Sequence, residues 1–144
     1  MLVYELKIVA VASKLAAIDE AIRTGQFILN KCLRYWLDAA KENKVNGFAL
    51  NKFTKVLADN SEFPFVGTLN SMARQASAER AWFAISRFFD NCKKGLPGKK
   101  GLPKFKSNSR SVEYKTSGWK LSDCRKYLTI TDKTGIGPVE AQRN

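Results

Sequence analysis

The chain contains no histidine, and this one absence removes a large part of enzyme chemistry. Without imidazole there can be no Ser-His-Asp or Cys-His pair, and no His-x-His metal site for nicking single strands. Cysteine is scarce too. Cys32, Cys92 and Cys124 are far apart and odd in number, with no CxxC pair among them. A zinc site would have to be made from thiols and carboxylates alone, so the three read as reduced intracellular thiols, two of them on apolar helix faces. Acidic residues number 13 against 25 Lys and Arg. They are scattered singly apart from Asp19-Glu20, which Lys14 and Arg23 mark as a solvated helix face. Metal-dependent nucleases need carboxylates that converge on Mg²⁺, and no such grouping is legible. There is no GxxxxGK[ST] loop and no GxGxxG. No apolar run approaches the roughly 18 residues of a membrane span. Ala10-Val11-Ala12 has the form of a signal-peptidase site, but the apolar stretch before it covers only residues 8–12 and Glu5 spoils the basic leader. These absences predict a cytoplasmic protein with no membrane segment, no catalytic residues, no metal site and no cofactor.

What the chain has in abundance is positive charge, unevenly placed. Residues 1–92 carry 12 basic and 9 acidic side chains, a net +3; residues 93–144 carry 13 and 4, a net +9. The second part opens with Lys93-Lys94-Gly95-Leu96-Pro97-Gly98-Lys99-Lys100-Gly101-Leu102-Pro103-Lys104-Phe105-Lys106. A field this lopsided attracts polyanions, of which nucleic acid is the most abundant in a cell. A hydrophobic fraction of 44% excludes a merely disordered basic tail.

Periodicity divides the chain into a strand, several helices and further strands. Residues 2–9 alternate with Glu5 and Lys7 on one face, as a strand does. Ser13 can cap a long helix running to about Asn43, with Leu15, Ile18, Ile22, Leu29, Leu33, Trp36 and Ala40 on its apolar side. Gly25 interrupts that pattern and marks either a close helix crossing or a break. A shorter helix fits residues 49–58 and is stopped by the run ending in Pro64. Thr68 or Asn70 caps the next, which continues to about Lys94. Period two returns in residues 111–116, 119–121 and 127–131. The predicted class is α+β: a small antiparallel β unit interrupted by three to four helices that form a separate lobe. The expected divisions are a first strand in 1–10, a helical lobe in 11–94, a basic Gly/Pro/Lys linker in 95–106, the remaining strands in 107–137 and a polar tail in 138–144.

The candidate binding residues follow from this charge map. Lys99, Lys100, Lys104, Lys106, Arg110, Lys115 and Lys120 are spaced along a ribbon that could meet successive phosphates, and the aromatic planes among them, Phe105, Tyr114, Trp119 and Tyr127, could stack on unpaired bases. Tyr114, Trp119 and Tyr127 suit the sheet's own core better than stacking. Arg80, Arg87 and Lys94 recur every seven residues on one helix, a stripe that gains meaning only if it faces the linker lysines.

Several of these residues also resemble a known family. Residues 25–36 (GQFILNKCLRYW, with Gln26, Asn30 and Leu33), Leu69-Asn70-Ser71-Met72 with Gln75, Ile85-Ser86-Arg87-Phe88-Phe89, the Pro103-Lys104-Phe105-Lys106 box and Gly135-Ile136-Gly137 are similar, in order and spacing, to the N-terminal part of the OrfB/TnpB proteins of bacterial insertion sequences. These transposon-encoded proteins, named transposases, are relatives of type V CRISPR effector nucleases. The resemblance covers residues 2–137. It implies a wedge-like β unit interrupted by a recognition lobe, and a role in holding a guide RNA and the DNA it pairs with. In the family the cutting is done by a RuvC-like domain further along, with a CxxC…CxxC zinc ribbon inserted in it. Neither is present in this chain.

Two departures stand out. Position 29, often basic in the family, is Leu29, and the basic strand residues expected after Gly-Ile-Gly are replaced by residues 138–144. The resemblance therefore implies a truncated or frameshifted copy, or a short accessory form, that grips nucleic acid without cutting it and would be found in the bacterial cytoplasm, associated with the nucleoid when bound. Two other readings compete: an intact metal-dependent nuclease, and a protein–protein module presenting Phe88 and Phe89 or Phe63 and Phe65 without touching nucleic acid.

Overall fold

A computed structural model describes residues 1–39, 44–95, 98 and 101–143. The order of elements is β1 (Leu6–Val9), α1 (Ala12–Ala39), α2 (Gly47–Asp59), α3 (Ser71–Lys93), β2 (Trp119–Leu121), β3 (Tyr127–Ile130) and β4 (Gly137–Arg143), with short 3-10 turns at Val66–Thr68 and Thr116–Gly118. The fold is α+β, as the alternation of periods predicts. No helix among the described residues is long and apolar enough to cross a membrane.

α1 runs unbroken through Gly25, which is buried. A Cβ at this position would lie 3.3 Å from Ser77 Oγ of α3 and 3.6 Å from Val112 Cγ2, so the glycine marks a crossing, not a break. Small residues meet there from both sides: Ala21 and Gly25 on α1, Ala73, Ala76, Ser77 and Ala81 on α3. Close backbone approach lets the larger Ile28, Leu33 and Ile85 beyond the crossing become almost fully buried. The buried hydroxyls Thr24 and Ser77 donate to the carbonyls of Glu20 and Ala73, at 2.9 and 3.0 Å, so neither is unsatisfied.

Asparagine sets two helix starts. Asn46 Oδ1 accepts from the Ala49 amide at 2.9 Å and begins α2 two residues earlier than its apolar pattern suggests. Asn70 Oδ1 accepts from the Met72 amide at 2.7 Å and begins α3. The Asn70 amide nitrogen also donates to the Thr131 carbonyl and, at 3.1 Å, to its hydroxyl. One side chain thus fastens the helices to the chain leaving β3.

All four strands form one antiparallel sheet in the order β1-β4-β3-β2. The first strand does join the later ones, but three expectations are corrected. Residues 138–144 are no tail: through Arg143 they belong to β4, the longest strand, paired on both sides. Asn144 lies outside the described residues. The polar composition hid this strand because only Val139 and Ala141 face the core. Pro138 is tolerated for a specific reason. The Ala141 amide donates to Lys126 across the β3 side, so by alternation the backbone of Pro138 faces β1, beyond the last ladder pair Val9↔Glu140. Its carbonyl there accepts from Lys14 Nζ.

The second correction concerns residues 111–116, which form no strand. Their alternation is real, with Val112 and Tyr114 turned inward and Ser111 and Glu113 outward, yet no ladder runs along them. The segment is a strap that lays Val112 on Gly25 and Tyr114 against Gly118. Third, the helices are not a separate lobe: Ile136 and Val139 of the sheet side belong to the same buried core as Ile28, Leu33, Leu50 and Ile85.

Candidate nucleic-acid interface

Between α3 and the chain that follows it lies a cleft of about 740 Å³. Its walls carry Arg80 and Arg87 from α3, and Lys104 and Lys106 from the irregular segment 101–111. Leu29 contributes to its lining, as do Ser107, Asn108 and Ser109, while Phe83 and Phe105 are the aromatic residues. No carboxylate among the described residues lines it. Among the described residues, none of the four cations forms an ion pair. The charge is therefore uncompensated and gathered in a concave surface, where low-dielectric walls strengthen its field.

Segment 101–111 has no regular secondary structure, so its backbone groups must find partners elsewhere. Gln26 and Asn30, one turn apart on α1, supply them. Asn30 Nδ2 donates to the Lys106 carbonyl at 2.9 Å, and the Lys106 amide donates back to Asn30 Oδ1 at 2.8 Å. The Ser109 amide donates to Gln26 Oε1 at 2.9 Å. With the Lys106 main chain engaged by α1, its side chain is left for the cleft. At the far end Arg80 Nη1 donates to Ser111 Oγ at 3.3 Å and lies 3.4 Å from its carbonyl, which places the guanidinium against the strap.

The predicted residues separate into groups. Arg80, Arg87, Lys104 and Lys106 come together, so the α3 stripe and the basic segment do share a face. Lys94, the third member of the stripe, caps the C-terminus of α3 and does not line the cleft. Arg110 turns instead toward an apolar hollow under the sheet. Lys115 forms an ion pair with Glu79 and is only about a quarter exposed, which removes it from the free cations. Lys120 is exposed on β2, away from the cleft. Lys99 and Lys100 lie outside the described residues.

The cations on the outward side of α1 are engaged. Arg23 is paired with Glu20 at 2.6 Å, which raises its pKa through that hydrogen bond and charge. Arg34 is paired with Asp38 at 3.2 Å. Lys31 Nζ sits 4.9 Å from the Phe63 ring centroid and 5.5 Å from that of Phe27. Phe63 and Phe65 both make edge contacts with Phe27, and Phe88 and Phe89 with Trp36, so these pairs are partly occupied within the fold. Tyr114 is also internal. Burial, then its bond to Asp132 Oδ2 at 2.8 Å, pushes its pKa up and keeps the phenol protonated as a donor.

Composition and charge spacing missed the fastening role of Gln26 and Asn30, although both stand in the family-like motif. They also missed Phe83, which is 63% exposed beside the arginines. Its signal was an aromatic lying off the stripe of Ala81, Ile85 and Phe88. Cys32 is buried, with its thiol pushed up to about 12 by desolvation, while Cys92 and Cys124 are exposed; Cys92 does not lie on a buried helix face. No group of three or more acidic or thiol side chains is placed to hold a metal among the described residues. No protein-family model and no curated protein sequence matches the chain.

Proposed function

We propose that this protein binds nucleic acid in the cleft between α3 and segment 101–111, as the gripping part of a TnpB-like protein. The observation that carries the reading is the convergence of Arg80, Arg87, Lys104 and Lys106 on one concave surface without a carboxylate among the described residues. Four cations a few residues apart on two walls suit a phosphate backbone passing between them. Phe83 and Phe105 offer ring faces to unpaired bases, and the serine and asparagine side chains can donate to sugar and phosphate oxygens. The resemblance names the natural ligands as a guide-type RNA with the DNA it pairs with, met in the bacterial cytoplasm and at the nucleoid. The sequence holds no histidine to serve as a base, and in this reading the chain's role is to hold rather than to cut.

Lys99 and Lys100 precede the cleft in sequence and bring the cations available to about six. Neutralising about six phosphates gives a slope of roughly −5 for log affinity against log salt on duplex. Fluorescence anisotropy with labelled RNA, DNA and hybrid duplexes at several salt concentrations measures it. A slope near zero for every ligand would remove the proposal.

A further inference from the structure

β1 is an edge strand, and its outer side has no neighbour among the described residues: the sheet runs β1-β4-β3-β2 and ends there. The direction of its free groups is fixed by the ladder. In β4 the backbone of Gln142 and Glu140 faces β1, and these residues oppose Lys7 and Val9. Lys7 and Val9 therefore bond inward, while the N–H and C=O of Leu6 and Ile8 point outward, without a partner among the described residues. The residues around this edge are apolar and open. Leu2, Val3 and Tyr4 are 83, 82 and 75% exposed, and Leu6, Ile8 and Val9 about 40%. A row of outward backbone groups flanked by exposed apolar side chains is a template for another strand.

We infer that β1 pairs antiparallel with β1 of a second copy, on a two-fold axis through Leu6. The charges select this register. With Leu6 opposite Leu6, Glu5 of each copy lies opposite Lys7 of the other, giving two opposite-charge pairs, with Tyr4 facing Ile8 and Val3 facing Val9. An axis through Glu5 or Lys7 would set like charges opposite each other. An axis through Tyr4 or Ile8 would leave both charges opposite uncharged residues. The Leu6 register also suits the backbone, because every even residue from Leu2 to Ile8 would present its hydrogen-bonding groups to the partner. The even side chains, which share the face of Ile8 above the apolar hollow, extend the buried side of both sheets. The result is a closed, isologous dimer with an eight-stranded sheet, and β1 ceases to be an edge.

The test uses the full chain, unaltered and in three variants, in sedimentation velocity over a wide concentration range. The unaltered protein is expected to shift from monomer to dimer as concentration rises. Glu5→Lys and Lys7→Glu each set like charges opposite across the axis and should weaken dimerisation at least tenfold. Combining them restores opposite charges in swapped positions and should bring the dimer back to within a few-fold of the original. Circular dichroism checks that all four fold alike. A monomer at every concentration, a dimer indifferent to the single changes, or a doubly changed protein no better than either single one would overturn the pairing.

Discussion

Two hollows lie beside the chain that leaves α3, and they meet at Ser111 with opposite chemistry. Among the described residues, the cleft holds four cations without an ion pair and no carboxylate; the hollow of about 500 Å³ under the sheet is lined by ten apolar or aromatic side chains, with Arg110 as its single charge. Their construction differs as much as their lining. The hollow is walled by laddered strands, by α1 and by residues 110–114 of the strap, and its shape is tied to the core through Ile136 and Val139. The cleft has one helical wall and one irregular wall, and the irregular wall is fixed by two amide side chains. Charge has been put where the backbone is held locally, and apolar surface where it is held globally. Damage to one should therefore leave the other largely intact.

The largest effect falls on the apolar side. Ile136→Ala deletes a side chain that is 1% exposed at the junction of hollow and core, and should cost about 2–5 kcal/mol in urea unfolding. Below the transition, affinity for a labelled duplex should stay within about twofold, since changes at distant independent sites act separately.

Alkaline pH should weaken the same side. Desolvation holds the Cys32 thiol at about 12, well above an exposed thiol. The unfolded chain then releases this proton first as pH rises, so the stabilisation is full below the unfolded value and is lost progressively up to the folded one. Between about pH 8 and about pH 10 the loss should be roughly 1–2 kcal/mol, and Cys32→Ala should flatten that dependence. Tyr114, raised by burial and by Asp132, adds to the loss at still higher pH.

Asn30→Ala attacks the cleft wall alone. It removes both bonds to the Lys106 main chain and should cost about 1 kcal/mol globally, while amide exchange at Lys106 rises and polyanion affinity falls several-fold. The smallest effect belongs to Lys115→Ala. Its pair with Glu79 is partly exposed, and its loss should cost no more than about 1 kcal/mol and leave the salt slope unchanged.

The sequence showed this division only in part. The helices were legible because α1 and α3 keep a 3.6-residue period over many turns, and of the two caps the sequence offers for α3, Thr68 and Asn70, it is Asn70 that serves. The hairpin of β2 and β3 was legible from its β-branched and aromatic content. β4 was not, because a central strand with only two inward apolar residues looks like a polar tail until its neighbours are known. The strap at residues 111–115 shows the converse: an alternating pattern reports which side chains turn inward, not whether another strand lies alongside. In the cleft, Lys104 and Lys106 could be picked from charge density. Arg80 and Arg87 could be separated from Lys94 only by the path of the chain, and Lys115 looked free because its partner Glu79 lies 36 residues away.

Binding in the cleft depends on the location of charge rather than its amount, and one paired measurement isolates that. Arg80, Arg87, Lys104 and Lys106 changed together to Ala remove four positive charges from the cleft. Lys52, Lys55, Lys120 and Lys133, all exposed and none lining the cleft, remove the same four from elsewhere. Salt-dependent fluorescence anisotropy should show the slope shrinking by roughly 3–4 for the cleft variant and by less than about 1 for the other. Equal losses in the two would mean that net charge alone attracts the polyanion, and would contradict a built binding cleft.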